Sequence, residues 1–244
     1  MGDRAICIGV LGLRYDRFKC SRSSTMTFTE TRSPTQTTSP SNTWVNATWE
    51  EFVAIADDPA SEKKTCYYFN QQMRIETMGV GPDHAVDNGI IHTAIVLYCT
   101  LKTIALRGLI NASYRQPGCQ EAQPDASYYI NEKALLVPQG NTIVDLETHP
   151  APDLTVEIDA SSLNDDLGFK RLLYEELGVG EYWVVDVENA QILAFQILDR
   201  GSQRITTSNV LPGLEIAILE AALASRKTQD DSQIMATLMT QFSG

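Results

Sequence analysis

Positive charge is scarce in this chain. Its 19 lysines and arginines face 31 aspartates and glutamates, a formal net charge of −12. A domain that coats nucleic acid electrostatically carries a basic excess instead, so contact with a polyanion here has to be local or bridged by cations. There is no run of about 18 apolar residues, so the sequence offers no membrane-spanning helix. The five cysteines (Cys7, Cys20, Cys66, Cys99 and Cys119) show no CxxC spacing and read as reduced thiols of a cytoplasmic protein. Neither HExxH nor a Cys/His cluster points to zinc. No GxxxxGK[ST] or GxGxxG phosphate loop and no GxSxG elbow is present, which leaves nucleotide-binding folds and serine hydrolases of that type without support.

What is present is enough for one sizeable core: 244 residues with an ordinary apolar share of 43%. Residues 21–42 are almost entirely Ser, Thr, Pro, Gln and charged residues, too polar to build a core. Residues 1–42 are therefore expected to be a disordered or mis-started extension, with Met26 a candidate start. The apolar residues 5–11 resemble a short signal region, but Asp3 precedes them and no small-residue cleavage site follows. Residues 43–219 are expected to form the folded domain, and residues 220–244 a peripheral C-terminal helix.

Thr48-Trp49-Glu50-Glu51 is a capping box that predicts a helix over 49–56. Two short apolar runs around Asn70-Gln71 predict a hairpin. Apolar residues at helical spacing from Val86 to Ile104 predict a long buried helix over 82–106. Strands are expected over 109–114, 126–130 and 153–159, with an irregular stretch over 131–150. A helix over 164–177, stopped by Gly178, follows. Next come a hairpin over 181–198, an edge strand near 205–207, a helix opened by Pro212-Gly213-Leu214 and a last helix over 229–242. This order predicts an α/β fold, a mixed sheet flanked by helices in a single domain.

The segment that most needs explaining is Leu154-Thr155-Val156-Glu157-Ile158. An acid inside such an apolar strand costs several kcal/mol to bury as an unpaired ion, so something has to hold Glu157. Strand alternation puts Thr155, Glu157 and Asp159 on one side, with Glu157 and Asp159 about 6.6–7 Å apart along the backbone. A hard cation such as Mg²⁺ takes one or two carboxylates and keeps several waters. A second acid from a neighbouring strand would complete the protein's share, and Asp125, after Pro124 at a strand opening, is the candidate. Lys170, four residues before Tyr174 on the following helix, is expected at the border of the buried stripe Phe169, Leu172, Leu173 and Leu177. From there it can lean toward the acidic strand.

These residues also carry a resemblance. The segment Pro152-Asp153-Leu154-Thr155-Val156-Glu157-Ile158, then Lys170, Tyr174, Gly178-Val179 and Glu181-Tyr182-Trp183-Val184-Val185-Asp186, resembles a restriction endonuclease family abundant in cyanobacteria, with the PD-(D/E)xK fold. Gly81-Pro82-Asp83-His84 and Gln123-Pro124-Asp125 match as well, so the resemblance covers roughly residues 43–219. It implies a restriction-endonuclease-like fold and a nuclease that cuts DNA with Mg²⁺, Mn²⁺ substituting, and it suggests a homodimer. Asp125 and Glu157 would hold the metal, Lys170 would be the third catalytic residue, and His84, Glu76 and Asp159 would be auxiliary. The sequence departs from the pattern in two places: the spacing from Asp125 to Glu157 is long, and Asp159 stands where a strand lysine is expected, so Lys170 would be a lysine moved to the helix.

Plainer readings stand beside each of these. Glu157 could pair with a buried cation, Asp125 and Asp159 could cap turns, and Lys170 could pair only with Asp166 or Glu157. Asp153 rivals Asp125 for the PD aspartate, but it shares a strand with Glu157. A catalytically inactive relic of the fold, acting as a binding or dimerisation module, is the competing reading of the whole.

Overall fold

A computed structural model describes residues 42–61, 63–76, 81–159, 163–199 and 201–244. The expected N-terminal extension lies, Asn42 apart, outside the described residues. In chain order the elements begin with β1 (Val45–Asn46), α1 (Trp49–Ala56), β2 (Thr65–Phe69), β3 (Gln72–Glu76) and α2 (Pro82–Lys102). Then follow β4 (Leu106–Ile110), β5 (Tyr114–Gln116), β6 (Gln120–Ala122), β7 (Ala126–Ile130), β8 (Val144–Asp145) and β9 (Leu154–Asp159). Short α3 (Leu163–Asp166) leads to α4 (Phe169–Leu177), β10 (Glu181–Asp186), β11 (Gln191–Leu198), β12 (Gly201–Ile205), α5 (Ile216–Ser225) and α6 (Asp231–Ser243).

Two mixed six-stranded sheets result, ordered β1-β3-β2-β6-β5-β8 and β12-β11-β10-β9-β7-β4. Only β5–β8 and β9–β10 pair in parallel; the other neighbours run antiparallel. One face of the second sheet, through Val156, Trp183, Val185 and Ala194, packs against α2, α5 and α6 in the main core. Tyr182, Val184 and Phe195 of that sheet meet Leu173, Tyr174 and Leu177 of α4 and Tyr67 and Ala122 of the first sheet. Strand β9 is thus buried along all six residues. The acidic side of β9 is sandwiched between layers.

Several local expectations hold for physical reasons visible in the backbone. The Thr48 hydroxyl accepts from the Glu51 amide and the Glu51 carboxylate from the Thr48 amide, closing the capping box on α1. Asn70 and Gln71 both take positive φ (47° and 59°), as a two-residue hairpin turn with native strand twist requires. Gly178, at φ 75°, ends α4 in the left-handed conformation.

Elsewhere the structure differs. Helix α2 stops at Lys102 because Thr103 turns left-handed at φ 56°, which frees Leu106 to open β4 earlier than the 109–114 expected. The turn around Pro117 joins two short strands, β5 and β6. The helix expected over 164–177 breaks into α3 and α4 at Gly168. The last helix is not peripheral: Ile234, Leu238 and Phe242 sit in the same core as α2, and the boundary at residue 219 falls inside α5. Cys66 and Cys99 are buried free thiols, their proton loss opposed by burial. Cys7 and Cys20 lie outside the described residues.

The turn between α4 and β10 is tight. A Cβ on Gly180 would lie 2.6 Å from the Asp153 carbonyl oxygen and 3.2 Å from Val210 Cγ1. Since that carbonyl also accepts the Glu181 amide that starts the β9–β10 ladder, it cannot retreat cheaply. Gly180→Ala is expected to destabilise the protein by about 1–3 kcal/mol, the usual cost of overpacking, as read from denaturant unfolding.

Candidate active site

The β7–β9 register sets the geometry. Ala126 pairs with Val156, which puts Asp125 directly opposite Glu157 across the antiparallel ladder. Asp125 Oδ2 accepts a hydrogen bond from the Ile158 amide at 2.7 Å, fixing the carboxylate at the strand end. His84, in the first turn of α2, brings Nε2 to 3.4 Å from the same oxygen. The bond to Asp125 pushes the imidazole above its ordinary value, against burial, and the charges of Asp125, Asp159 and Asp87 push the same way. Among the described residues His84 Nδ1 is buried without a hydrogen-bond partner.

Glu157 is 3% exposed. Its Oε1 accepts from the Tyr174 hydroxyl at 2.6 Å and lies 3.3 Å from the Tyr67 hydroxyl. Burial pushes this carboxyl well above the usual carboxylate range, and the charges of Asp125 and Asp166 add to the push against the Lys170 ammonium and the Tyr174 hydroxyl.

Lys170, equally buried, projects its Nζ to 3.0 Å from Asp166 Oδ1, 3.5 Å from Glu76 Oε1 and 4.0 Å from Glu157 Oε1. The Nζ also stands 4.4 Å from the centre of the Tyr67 ring, within cation–π range. Burial alone would strip its proton, yet Glu157, Asp166 and Glu76 together hold the amine charged well above the ordinary lysine value. The expected buried stripe of α4 is corrected here. Lys170 and Tyr174 lie on the buried face and Leu172 is 43% exposed, because the ionic cluster occupies the layer between α4 and β9.

Glu76, at the end of β3, accepts from Arg74 Nε at 2.6 Å. The Arg74 guanidinium reaches Asp165 Oδ2 at 3.1 Å, and Asp165 Oδ1 accepts from Trp44 Nε1 at 2.6 Å. Asp159 is buried at the end of β9 in register with Asp186. Asp153 pairs with Lys133 at 2.9 Å and accepts the Ile130 amide at 2.8 Å, the environment of a structural acid. Asp125, Glu157, Lys170, Glu76 and His84 thus gather around the ends of β3, β7 and β9. Two clefts, of about 600 Å³ between α2, α5 and α6 and about 300 Å³ beside His92, are lined by none of these residues.

Residues 49–229 match the model of the Uma2 family, described as "Putative restriction endonuclease". The chain belongs to this family. The mixed sheets flanked by helices agree with the restriction-endonuclease-like fold expected from the sequence. No curated protein matches the chain. A solved structure similar to it is the crystal structure of a putative nuclease belonging to DUF820 from Anabaena variabilis, 16% identical, with a TM-score of 0.48 and coverage of 78% of this chain and 98% of that one. Among the described residues no helix of this Uma2 chain is long and apolar enough to cross a membrane.

The donor set can be tested against the metal that the family implies. Among the described residues no three His, Cys, Asp or Glu side chains gather as a metal-ligand group. Two carboxylates facing each other across adjacent strands, with the rest of the shell left to water and phosphate, suit Mg²⁺.

Sequence reasoning missed Tyr67 and Arg74, though it did offer Asp166 as a partner of Lys170. Arg74 carried a signal, as a charge inside the short apolar strand Met73-Arg74-Ile75. Tyr67 carried none, since an aromatic on a strand is routine core material.

Proposed function

We propose that the protein is a Mg²⁺-dependent endonuclease that hydrolyses DNA phosphodiester bonds. The observation that supports this best is the meeting of Asp125, Glu157 and Lys170 around one buried strand end in a chain of the Uma2 family. Asp125 and Glu157 would hold the ion, which when bound lowers the pKa of a coordinated water and balances charge on the phosphate. Mn²⁺ would substitute.

The chain's own part follows from its charges. One buried ammonium stands among Glu157, Asp166 and Glu76, with Asp125 facing Glu157, so negative charge is in excess around Glu157. A second cation beside Glu157 would let both metal acids stay ionised despite burial. Lys170 is held too firmly in its charged form to take a proton. Its role is to donate a hydrogen bond to the attacking water or to a phosphate oxygen, a fixed positive charge in a dry site. Glu76 steadies Lys170, His84 steadies Asp125, and Asp159 contributes negative charge near His84. A homodimer would supply two such sites, one for each strand of a duplex, and the setting is the cytoplasm.

The inactive-relic reading draws on Asp159 in place of the strand lysine and on the net charge of −12. The two readings part on metal binding. A ligand at 100 times its Kd that binds only the folded state stabilises it by about 2.7 kcal/mol. For a domain of this size that is a rise in melting midpoint of about 5–10 °C. Thermal unfolding with and without millimolar MgCl₂, alongside cleavage of supercoiled plasmid in Mg²⁺ or EDTA, is expected to give both the rise and metal-dependent nicking. An unmoved midpoint with intact plasmid favours the relic.

A further inference from the structure

Tyr67 reaches Glu157, Lys170 and the chain that enters Asp125. Its hydroxyl lies 3.0 Å from the Gln123 carbonyl, two residues before Asp125 with only Pro124 between, and 3.3 Å from Glu157 Oε1. Its ring faces the Lys170 ammonium at 4.4 Å. The residue is 1% exposed and projects from β2 of the first sheet, whereas Asp125 and Glu157 belong to the second sheet and Lys170 to α4. A phenol carries one proton, so the hydroxyl can donate to only one of its two acceptors at a time. The Tyr174 hydroxyl, at 2.6 Å, serves Glu157 Oε1 from the other side. Glu157 Oε1 is therefore held by Tyr174 from α4, while Tyr67 from β2 shares its one proton between that oxygen and the Gln123 carbonyl.

We propose that Tyr67 is a positioning residue with two separable duties: its hydroxyl sets the spacing of the metal acids Asp125 and Glu157, and its ring seats Lys170. The proposal rests on the nuclease reading above and adds to it a residue outside the acid and lysine pattern. The physical logic is that a long lysine side chain carries large rotamer entropy and needs a seat if its ammonium is to stand at a fixed place. Asp166 and Glu76 supply charge on either side, and the ring supplies the floor. The hydroxyl, meanwhile, stands between the chain entering Asp125 and the carboxylate facing it, a link between the two strands beside the Ile158 amide bond to Asp125.

Two substitutions divide these duties. Tyr67→Phe keeps the ring and removes the hydroxyl; Tyr67→Leu removes both. The probe is Mn²⁺ alone, its affinity measured on the full chain by titration, followed by kcat for DNA cleavage at saturating Mn²⁺. Tyr67→Phe is expected to weaken Mn²⁺ binding about tenfold, as loss of one hydrogen bond to a charged group would, with kcat at saturating metal close to wild type. Tyr67→Leu is expected to weaken binding to the same extent and also to lower kcat by at least about tenfold, because the ammonium loses its seat. Melting midpoints identify a variant that fails to fold, and Tyr67→Phe, which preserves shape, carries the test by itself if Tyr67→Leu does. Wild-type Mn²⁺ affinity in Tyr67→Phe, or a parallel fall of affinity and kcat in that variant, overturns the proposal. Glu157→Gln is the control: if it abolishes Mn²⁺ binding that wild type shows, the nuclease reading stands whatever Tyr67 does. A wild-type protein that binds no Mn²⁺ overturns both together.

Discussion

Glu157→Gln is expected to leave the protein folded while reducing metal-dependent DNA cleavage by at least about a hundredfold, the scale on which a preorganised charged contact acts in a site shielded from water. The substitution is nearly isosteric and preserves an oxygen for the Tyr174 hydroxyl, so packing between α4 and β9 survives. What disappears is the negative charge. Lys170 still has Asp166 at 3.0 Å and Glu76 at 3.5 Å, so no cation is orphaned. Stability is expected to move in the opposite direction to activity. The folded-state carboxyl lies well above its ordinary value of 4.5, mainly through burial. Between those two values the folded chain binds more protons than the unfolded one, so stability is full below about 4.5 and falls as pH rises toward the folded value. Glutamine has no proton to lose. Melting midpoints of wild type and variant across pH 4–8 should therefore diverge upward in favour of the variant, while plasmid cleavage is lost. A variant that cuts DNA at the wild-type rate removes Glu157 from the metal site.

How much of this was legible beforehand depended on whether local chemistry or tertiary contact decided each feature. Helix α1 was readable to the residue because a capping box is written in four consecutive side chains, Thr48 to Glu51. The β2–β3 turn was readable because Asn70-Gln71 sits between two apolar runs. Helix α2 was visible as a long apolar period, but its end was not, since Thr103 stops it by adopting a left-handed conformation that no local rule assigns to threonine. The burial of α6 was hidden in the same way. Ile234, Leu238 and Phe242 form a sparse apolar stripe in a polar helix, and only the neighbouring surfaces of α2 and α5 reveal its purpose.

The candidate site divides along the same line. Glu157 was conspicuous as an acid within an apolar strand, and Asp125 as the residue after a strand-opening proline. Their register, however, is a property of the β7–β9 pairing across about thirty intervening residues. Lys170 was placed on the correct helix but on the wrong part of it. An amphipathic reading assumes that the buried face is apolar, whereas α4 turns a lysine and a tyrosine inward and leaves Leu172 to solvent. The inversion is itself informative, because burying an ammonium and several carboxylates against a sheet is costly unless the cluster is complete. Arg74 continues that cluster outward through Glu76 and Asp165 to Trp44.

Lys170→Met should have the largest effect on stability of any single change in the site. Methionine matches the length of the lysine stem and keeps its apolar contacts, so the substitution deletes little besides the ammonium. Its partners are then left without their cation: Asp166 is 1% exposed and Glu157 is 3% exposed. Removing one member of such a buried pair costs about 3–5 kcal/mol, since the remaining charge is neither solvated nor compensated. Denaturant unfolding measures that loss. Activity has to be read separately, at a temperature where the variant remains folded, because a purely structural lysine would produce the same destabilisation. The companion Asp166→Asn separates the two roles. It removes the closest carboxylate, leaves the ammonium in place beside Glu157 and Glu76, and should cost stability with cleavage retained. Lys170→Met should cost both, with cleavage down at least about a hundredfold. If the methionine variant cuts DNA as well as Asp166→Asn does, Lys170 is a structural counter-ion for buried acids and the water- or phosphate-directed role passes to another group.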